Sequence, residues 1–158
     1  MPNLFKAAQA RASHWGHAAK GCVTALGGLA EHDRLGFVYA SPSFAEDLGS
    51  IVTFLRETTP VADWVAAIGH GICGPQGEAH DEGVLTMMVA DLPPESYRII
   101  EDMRDGAEGF QSRHGAWVEA HQPMLGLVHG DPRDPELPGM LADLAEGSSA
   151  YLVGGLAL

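Results

Sequence analysis

The sequence predicts an α/β fold of duplicated βαβ-type halves, with a mixed β-sheet and flanking helices. Three observations carry that prediction. Short apolar runs bounded by Gly, Pro and charge alternate with segments of helical period, the pattern of strands interleaved with helices. Leu35-Gly36-Phe37-Val38-Tyr39-Ala40 recurs about 90 positions later as Leu125-Gly126-Leu127-Val128-His129-Gly130. Each copy is followed by a helical stretch and then a second strand reaching glycines, Gly69 in the first half and Gly154-Gly155 in the second. A repeat of this kind implies two similar units packed as pseudo-symmetric neighbours in one sheet system.

Taken in order, Phe5, Ala8, Ala12, Trp15, Ala19, Val23 and Leu26 step by three and four, which predicts one long amphipathic helix over about residues 4–26. Gly27-Gly28 ends it, and Gly16 and Gly21 within it mark close packing against another element. Residues 35–40 read as a buried strand. Ser43 with Glu46 three positions on has the spacing of a capping box, opening a helix on Phe44, Leu48, Ile51, Val52 and Leu55. Trp64 to Ile68 is the next strand, and 83–90 another, stopped by Asp91-Leu92-Pro93-Pro94. Tyr97, Ile99, Ile100 and Met103 line a short helix, whereas Asp102 to Gly115, rich in Gly and charge, reads as loop. The second half adds strand 125–130, a helix on Leu137, Met140, Leu141 and Leu144, and strand 150–153. Trp15, Trp64 and Trp117 are expected in or near the core.

At 158 residues the chain is expected to form a single domain over 1–158, with halves at about 30–92 and 120–158. Because the first half goes on to strand 83–90 and the second stops without a counterpart, the expectation is an N-terminal piece of a longer protein. The net charge of −12 argues against nucleic acid and against an anionic membrane surface, both of which would repel it. No apolar run approaches the ~20 residues that span a bilayer, and Met1 to Ala7 lacks a secretory core, so the expected location is cytoplasmic. Cys22 and Cys73 then read as reduced thiols.

Chemistry concentrates in Ile68-Gly69-His70-Gly71-Ile72-Cys73-Gly74-Pro75-Gln76-Gly77-Glu78. Its glycines permit close main-chain approach, and a strand ending there would offer free N–H groups beside a thiol and an imidazole. In βαβ units ligands bind at the carboxyl ends of the strands, so Ser41, Gly69, His70, Gly71, Ile72, Cys73, Gly154 and Gly155 are the candidate ligand-binding residues. Gly69, Gly71 and Gly74 have the spacing of a dinucleotide loop, but Pro75-Gln76-Gly77 follows where a helix should start. A small-metabolite carboxylate remains open to the loop, as does a plain tight turn. Cys73 as a nucleophile would make this a cysteine-dependent acyl-transfer or hydrolytic enzyme, with His70 or His80 bent back to activate it. His70 with Cys73 is one short metal pair, for which Asp81, Glu82 and His80 are the near candidates to complete a site. His70 is also the haem-ligand candidate, with His14, His17, His32, His114, His121 and His129 as rivals.

Residues 35–47, the 68–74 loop and the terminal Tyr151-Leu152-Val153-Gly154-Gly155-Leu156-Ala157 resemble the FIST N-terminal domain, over roughly Ala19 to Leu158. The resemblance implies a bacterial intracellular sensory module without catalytic activity. It implies a small-molecule ligand, with amino acids among those proposed, and a signalling kinase, cyclase or receptor as partner. No cofactor is required, although a nitric-oxide-sensing haem subgroup keeps haem open. Two departures stand out. Where many relatives carry a Gly-Cys-(Ser/Thr) step, this chain reads Gly69-His70-Gly71, and the rest of the N domain and the C-terminal FIST domain are expected in the longer protein of which this is a piece.

Overall fold

The chain opens with a strand where the 3–4 spacing predicts a helix. The structure, a computed structural model, describes residues 4–80, 83–101, 103 and 105–157. Met1 to Asn3, Asp81, Glu82, Asp102 and Leu158, on which parts of the sequence reading fell, lie outside the described residues. Two compact units divide the chain, Met1–Pro94 and Glu95–Leu158, and one copy of the repeat falls in each.

The first unit runs β1 (Phe5–Arg11), α1 (Trp15–Leu26), β2 (Asp33–Ala40), a 3₁₀ turn (Pro42–Asp47), α2 (Leu48–Thr58), β3 (Asp63–Ile68), β4 (Gly71–Gly74), β5 (Gly77–His80) and β6 (Val84–Asp91). β2 and β3 pair in parallel, β6 lies antiparallel to β2, and β1 antiparallel to β6, giving a mixed sheet in the order β1-β6-β2-β3. The β1 segment is rich in Ala, the best helix former, yet it pairs with β6 along its whole length from Phe5 opposite Ala90 to Arg11 opposite Val84. Pairing overrides propensity here, because the Ala advantage is a few tenths of a kcal/mol per residue. The helix begins only after His14, whose Nδ1 accepts the Gly16 N–H at 3.0 Å. Gly21 does mark close packing: a Cβ there would lie 3.0 Å from Ala10 Cβ on β1.

One face of the sheet holds the core. Val38 and Ala40 of β2, Trp64 and Ile68 of β3 and Leu85, Met87 and Val89 of β6 pack with Ala18, Ala19 and Cys22 of α1 and Ile51 and Leu55 of α2. The expected capping box is absent. Ser43 lies inside the 3₁₀ turn and α2 starts five residues later with no side-chain cap bond. A missing cap costs about 1 kcal/mol, whereas fully burying Ile51 and Leu55 stabilises by about 1.5–3 kcal/mol each, so packing decides where α2 lies.

The second unit carries α3 (Gly106–His121), β7 (Leu125–Gly130), α4 (Leu137–Ser148) and β8 (Tyr151–Leu156). The expectation for 95–120 is inverted: beyond a 3₁₀ turn at Pro94–Ser96, residues 97–101 are irregular, and the Gly-rich segment that read as loop is the helix α3. Its anchor is Phe110, fully buried with its ring against Gly147 of α4, and Arg113 pairs with Asp105 at its start. β7 and β8 pair in parallel with each other, and among the described residues with no other strand. The two βαβ halves are therefore present, but β7–β8 forms a sheet of its own instead of extending a common one. Among the described residues no helix is long and apolar enough to cross a membrane.

Candidate functional site

The parallel β2–β3 pair brings Ser41 and Gly69 together, as the βαβ pattern requires. The Gly69 N–H donates to Ala40 O at 3.0 Å, tying the two strand ends. Ser41 is 1% exposed and its hydroxyl is already engaged: Oγ accepts the Val84 N–H at 3.1 Å and lies 2.9 Å from Ser43 Oγ. The Ser41 N–H donates to Val84 O at 3.1 Å. Ser41 thus fastens β2 to the entry of β6. Ser43 and His70 remain exposed beside it, on an open surface.

The stretch that read as an open loop is a β-hairpin. Gly71 faces His80, Ile72 faces Ala79, Cys73 faces Glu78 and Gly74 faces Gly77, so the main-chain groups expected to be free are in a ladder. Ile72 and Ala79 turn inward and pack with Val84 and Tyr39 on the second face of the sheet, where burial raises the Tyr39 pKa. Gln76 clamps the tip, its N–H donating to Gln9 Oε1 at 3.1 Å and its Nε2 to Gln9 O at 2.9 Å. That clamp fixes the Gln9 amide and leaves its Nε2 buried without a partner, as is Thr86 Oγ1 opposite it.

Cys73 stands exposed on the outer face. Its cross-strand neighbour is a carboxylate, Glu78, and the nearby imidazole of His80 lies 3.8 Å from that carboxylate. Cys22 is inert by burial, which pushes its thiol up to about 12, and it donates to Leu85 O at 3.4 Å. Among the described residues no group of three His, Cys, Asp or Glu is placed to hold a metal ion. The zinc candidates Asp81 and Glu82 lie outside them.

Gly154 and Gly155 are not at a strand end. Gly130 pairs with Leu156, and the Ala157 N–H donates to Gly130 O at 2.9 Å, so Ala157 is the counterpart of Gly69. Both glycines sit inside β8, in the wall of a cleft of about 290 Å³. Val128 and Gly130 of β7, Leu137 and Leu141 of α4, and Leu152 to Leu156 of β8 line it. All of this lining is apolar, and none of it carries an imidazole, thiolate or phenol that would hold haem iron. His70 is exposed just before the hairpin, and neither it nor the cleft lining fits a haem site.

Sequence reasoning missed Val128, Leu137, Leu141 and Leu152, taking them as ordinary core. The signal was available in the glycines. Four of the twelve strand positions of β7 and β8 are Gly, a residue that weakens a strand interior and marks close approach of another element.

A family model described as the FIST N domain matches residues 34–158, taking in both βαβ halves but not β1 and α1. No curated protein and no solved structure matches the chain.

Proposed function

The chain belongs to the FIST N domain family, and from that premise we propose that it is a sensory module whose small-molecule ligand occupies the cleft between β7, β8 and α4. Family membership points to a sensory or signal-transduction role, and FIST domains are regarded as sensory and not catalytic. The observation that carries the ligand site is the cleft: a concave, apolar space near the lower end of the ~300–1,000 Å³ range of small-molecule pockets. A ligand there changes the packing of α4 on β8 and so favours one arrangement of this unit over another. The response passed to a kinase, cyclase or receptor partner is limited by the ligand's differential affinity for the two arrangements.

The test is a thermal-shift screen of the purified chain against small apolar metabolites. A ligand at about 100 times its dissociation constant should stabilise by roughly 2.7 kcal/mol. Leu141→Trp, which fills the cleft from α4, should abolish that shift while leaving the chain folded by circular dichroism, and Cys73→Ala should leave it intact. Loss of the shift in Cys73→Ala instead, or no shift with any compound, would overturn the proposal.

A further inference from the structure

The two halves correspond residue by residue through their strand registers, and they differ in the side chains that face the helix. On the helix-facing side, Gly36, Val38 and Ala40 of β2 correspond to Gly126, Val128 and Gly130 of β7. Trp64, Ala66 and Ile68 of β3 correspond to Leu152, Gly154 and Leu156 of β8. In the first half the Trp64 ring lies flat over Gly36, so close that a Cβ on Gly36 would come within 2.5–2.7 Å of three ring carbons. In the second half Leu152 stands at that place, its Cδ2 2.7 Å from where a Cβ on Gly126 would be. An indole has become an isobutyl group on the wall that lines the cleft, while Leu137 takes the place of a methyl at Gly130 and a methyl on Gly154 would strike Val128 O.

Resting on the cleft as the ligand site, we infer that its ligand presents an uncharged planar aromatic ring of one or two fused cycles, taking up volume that Trp64 and its neighbours fill in the first half. The space suits this. An apolar cavity of about 150 Å³ holds a benzene molecule, and this one is about 290 Å³. Val128, Leu152 and Leu156 on the strands and Leu137 and Leu141 on α4 offer a ring apolar contacts from both sides. A rigid ring also loses no rotamer freedom on binding, whereas a branched aliphatic chain does. No charged side chain lines the cleft, and a net charge of −12 on the chain disfavours an anionic group near it.

The experiment titrates the chain with indole and with cyclohexanol, a non-planar alcohol of similar bulk, by calorimetry and thermal shift. Indole should bind saturably and at least about tenfold more tightly than cyclohexanol. Leu152→Trp installs the residue of the first half over Gly126 and should weaken indole by about tenfold or more. Should that variant fail to fold, Val128→Phe narrows the cleft from β7 and should do the same. Equal or tighter binding of cyclohexanol, lost in the same variants, would overturn the aromatic preference and leave the cleft as the ligand site. Indole binding that persists in the folded variants places the ring elsewhere and overturns the inference. No binding of either probe overturns it, while stabilisation by another apolar metabolite, lost in Leu141→Trp, keeps the cleft.

Discussion

The half built from β2, α2 and β3 and the half built from β7, α4 and β8 share a strand signature and a parallel register, yet one is packed and the other is hollow. Val38, Ile51 and Leu55 are fully buried in the first, and Trp64 is 5% exposed. In the second, Val128, Leu141 and Leu152 are only half-buried and Leu156 is 69% exposed. The outer face of the second half is exposed as well, with Tyr151 at 74% and Leu125 at 61%, whereas Leu35, which corresponds to Leu125, is 6% exposed. The shared positions set the backbone, since Gly in the second place of the repeated signature, Gly36 and Gly126, admits a large side chain from the parallel partner strand. The positions that differ decide whether the layer is a core or a container.

The sharpest way to break this contrast is to make the first half resemble the second. Trp64→Leu removes most of an indole from a closed layer and should cost about 3 kcal/mol in urea denaturation, in line with large-to-small core substitutions. It should also create a site for indole in the first unit, seen as partial recovery of the melting temperature when indole is added. A cost below about 1 kcal/mol would mean that the first layer collapses around the gap and is no tighter than the second.

A smaller effect should separate the two equivalent glycines. Gly36→Ala pushes a methyl into the rigid Trp64 ring, and overpacking of that kind costs about 1–3 kcal/mol. Gly126→Ala meets only the tip of Leu152, a flexible side chain beside a cleft into which it can turn, and should cost less than about 1 kcal/mol. Equal costs, measured by denaturation of both variants, would show that Leu152 is as tightly held as Trp64 and that the cleft is closed in solution.

How much of this was legible beforehand follows from where the cause of each feature lies. The parallel βαβ pairs were readable because their strands are apolar runs between turn residues, a local property, and because the signature is repeated. β1 was not, since in FKAAQAR only Phe5 favours a strand, and the segment becomes one by pairing with a segment nearly 80 residues away. The 71–80 hairpin was hidden by its glycines, which serve a tight ladder as readily as a ligand loop. α3 was hidden by Gly109 and Gly115, and it exists because Phe110 finds Gly147 of α4. Gly154 and Gly155, expected at a strand end, lie inside β8 in the cleft wall. Their place in the cleft wall depends on α4, which no local pattern reveals.

The entry to the first strand of each half supplies the last contrast. Asp33 opens β2 nearly buried, its Oδ2 2.7 Å from Lys6 Nζ on β1 and accepting the Ala30 N–H at 2.9 Å, while Lys6 also donates to Gly28 O at 3.1 Å. The corresponding residue two places before β7 is Pro123, which offers no such anchor. Burial alone would raise the Asp33 pKa, but the Lys6 hydrogen bond, the Ala30 N–H and the Lys6 and His32 charges outweigh it and hold the carboxyl below its usual value. A carboxyl depressed on folding contributes stability that is present above its unfolded pKa of about 3.9 and is lost as pH falls through the lower folded value. Asp33→Asn should therefore be less stable than the parent at pH 7 by about 2 kcal/mol, below the full cost of breaking a buried pair because Lys6 can still reach water. The gap should begin to close near pH 4 and narrow further below it. Parallel urea denaturations of parent and variant from pH 7 to pH 3 measure it. A gap that stays constant with pH would show that Asp33 holds β2 by packing and hydrogen bonding alone, in which case its charge is not what distinguishes the two strand entries.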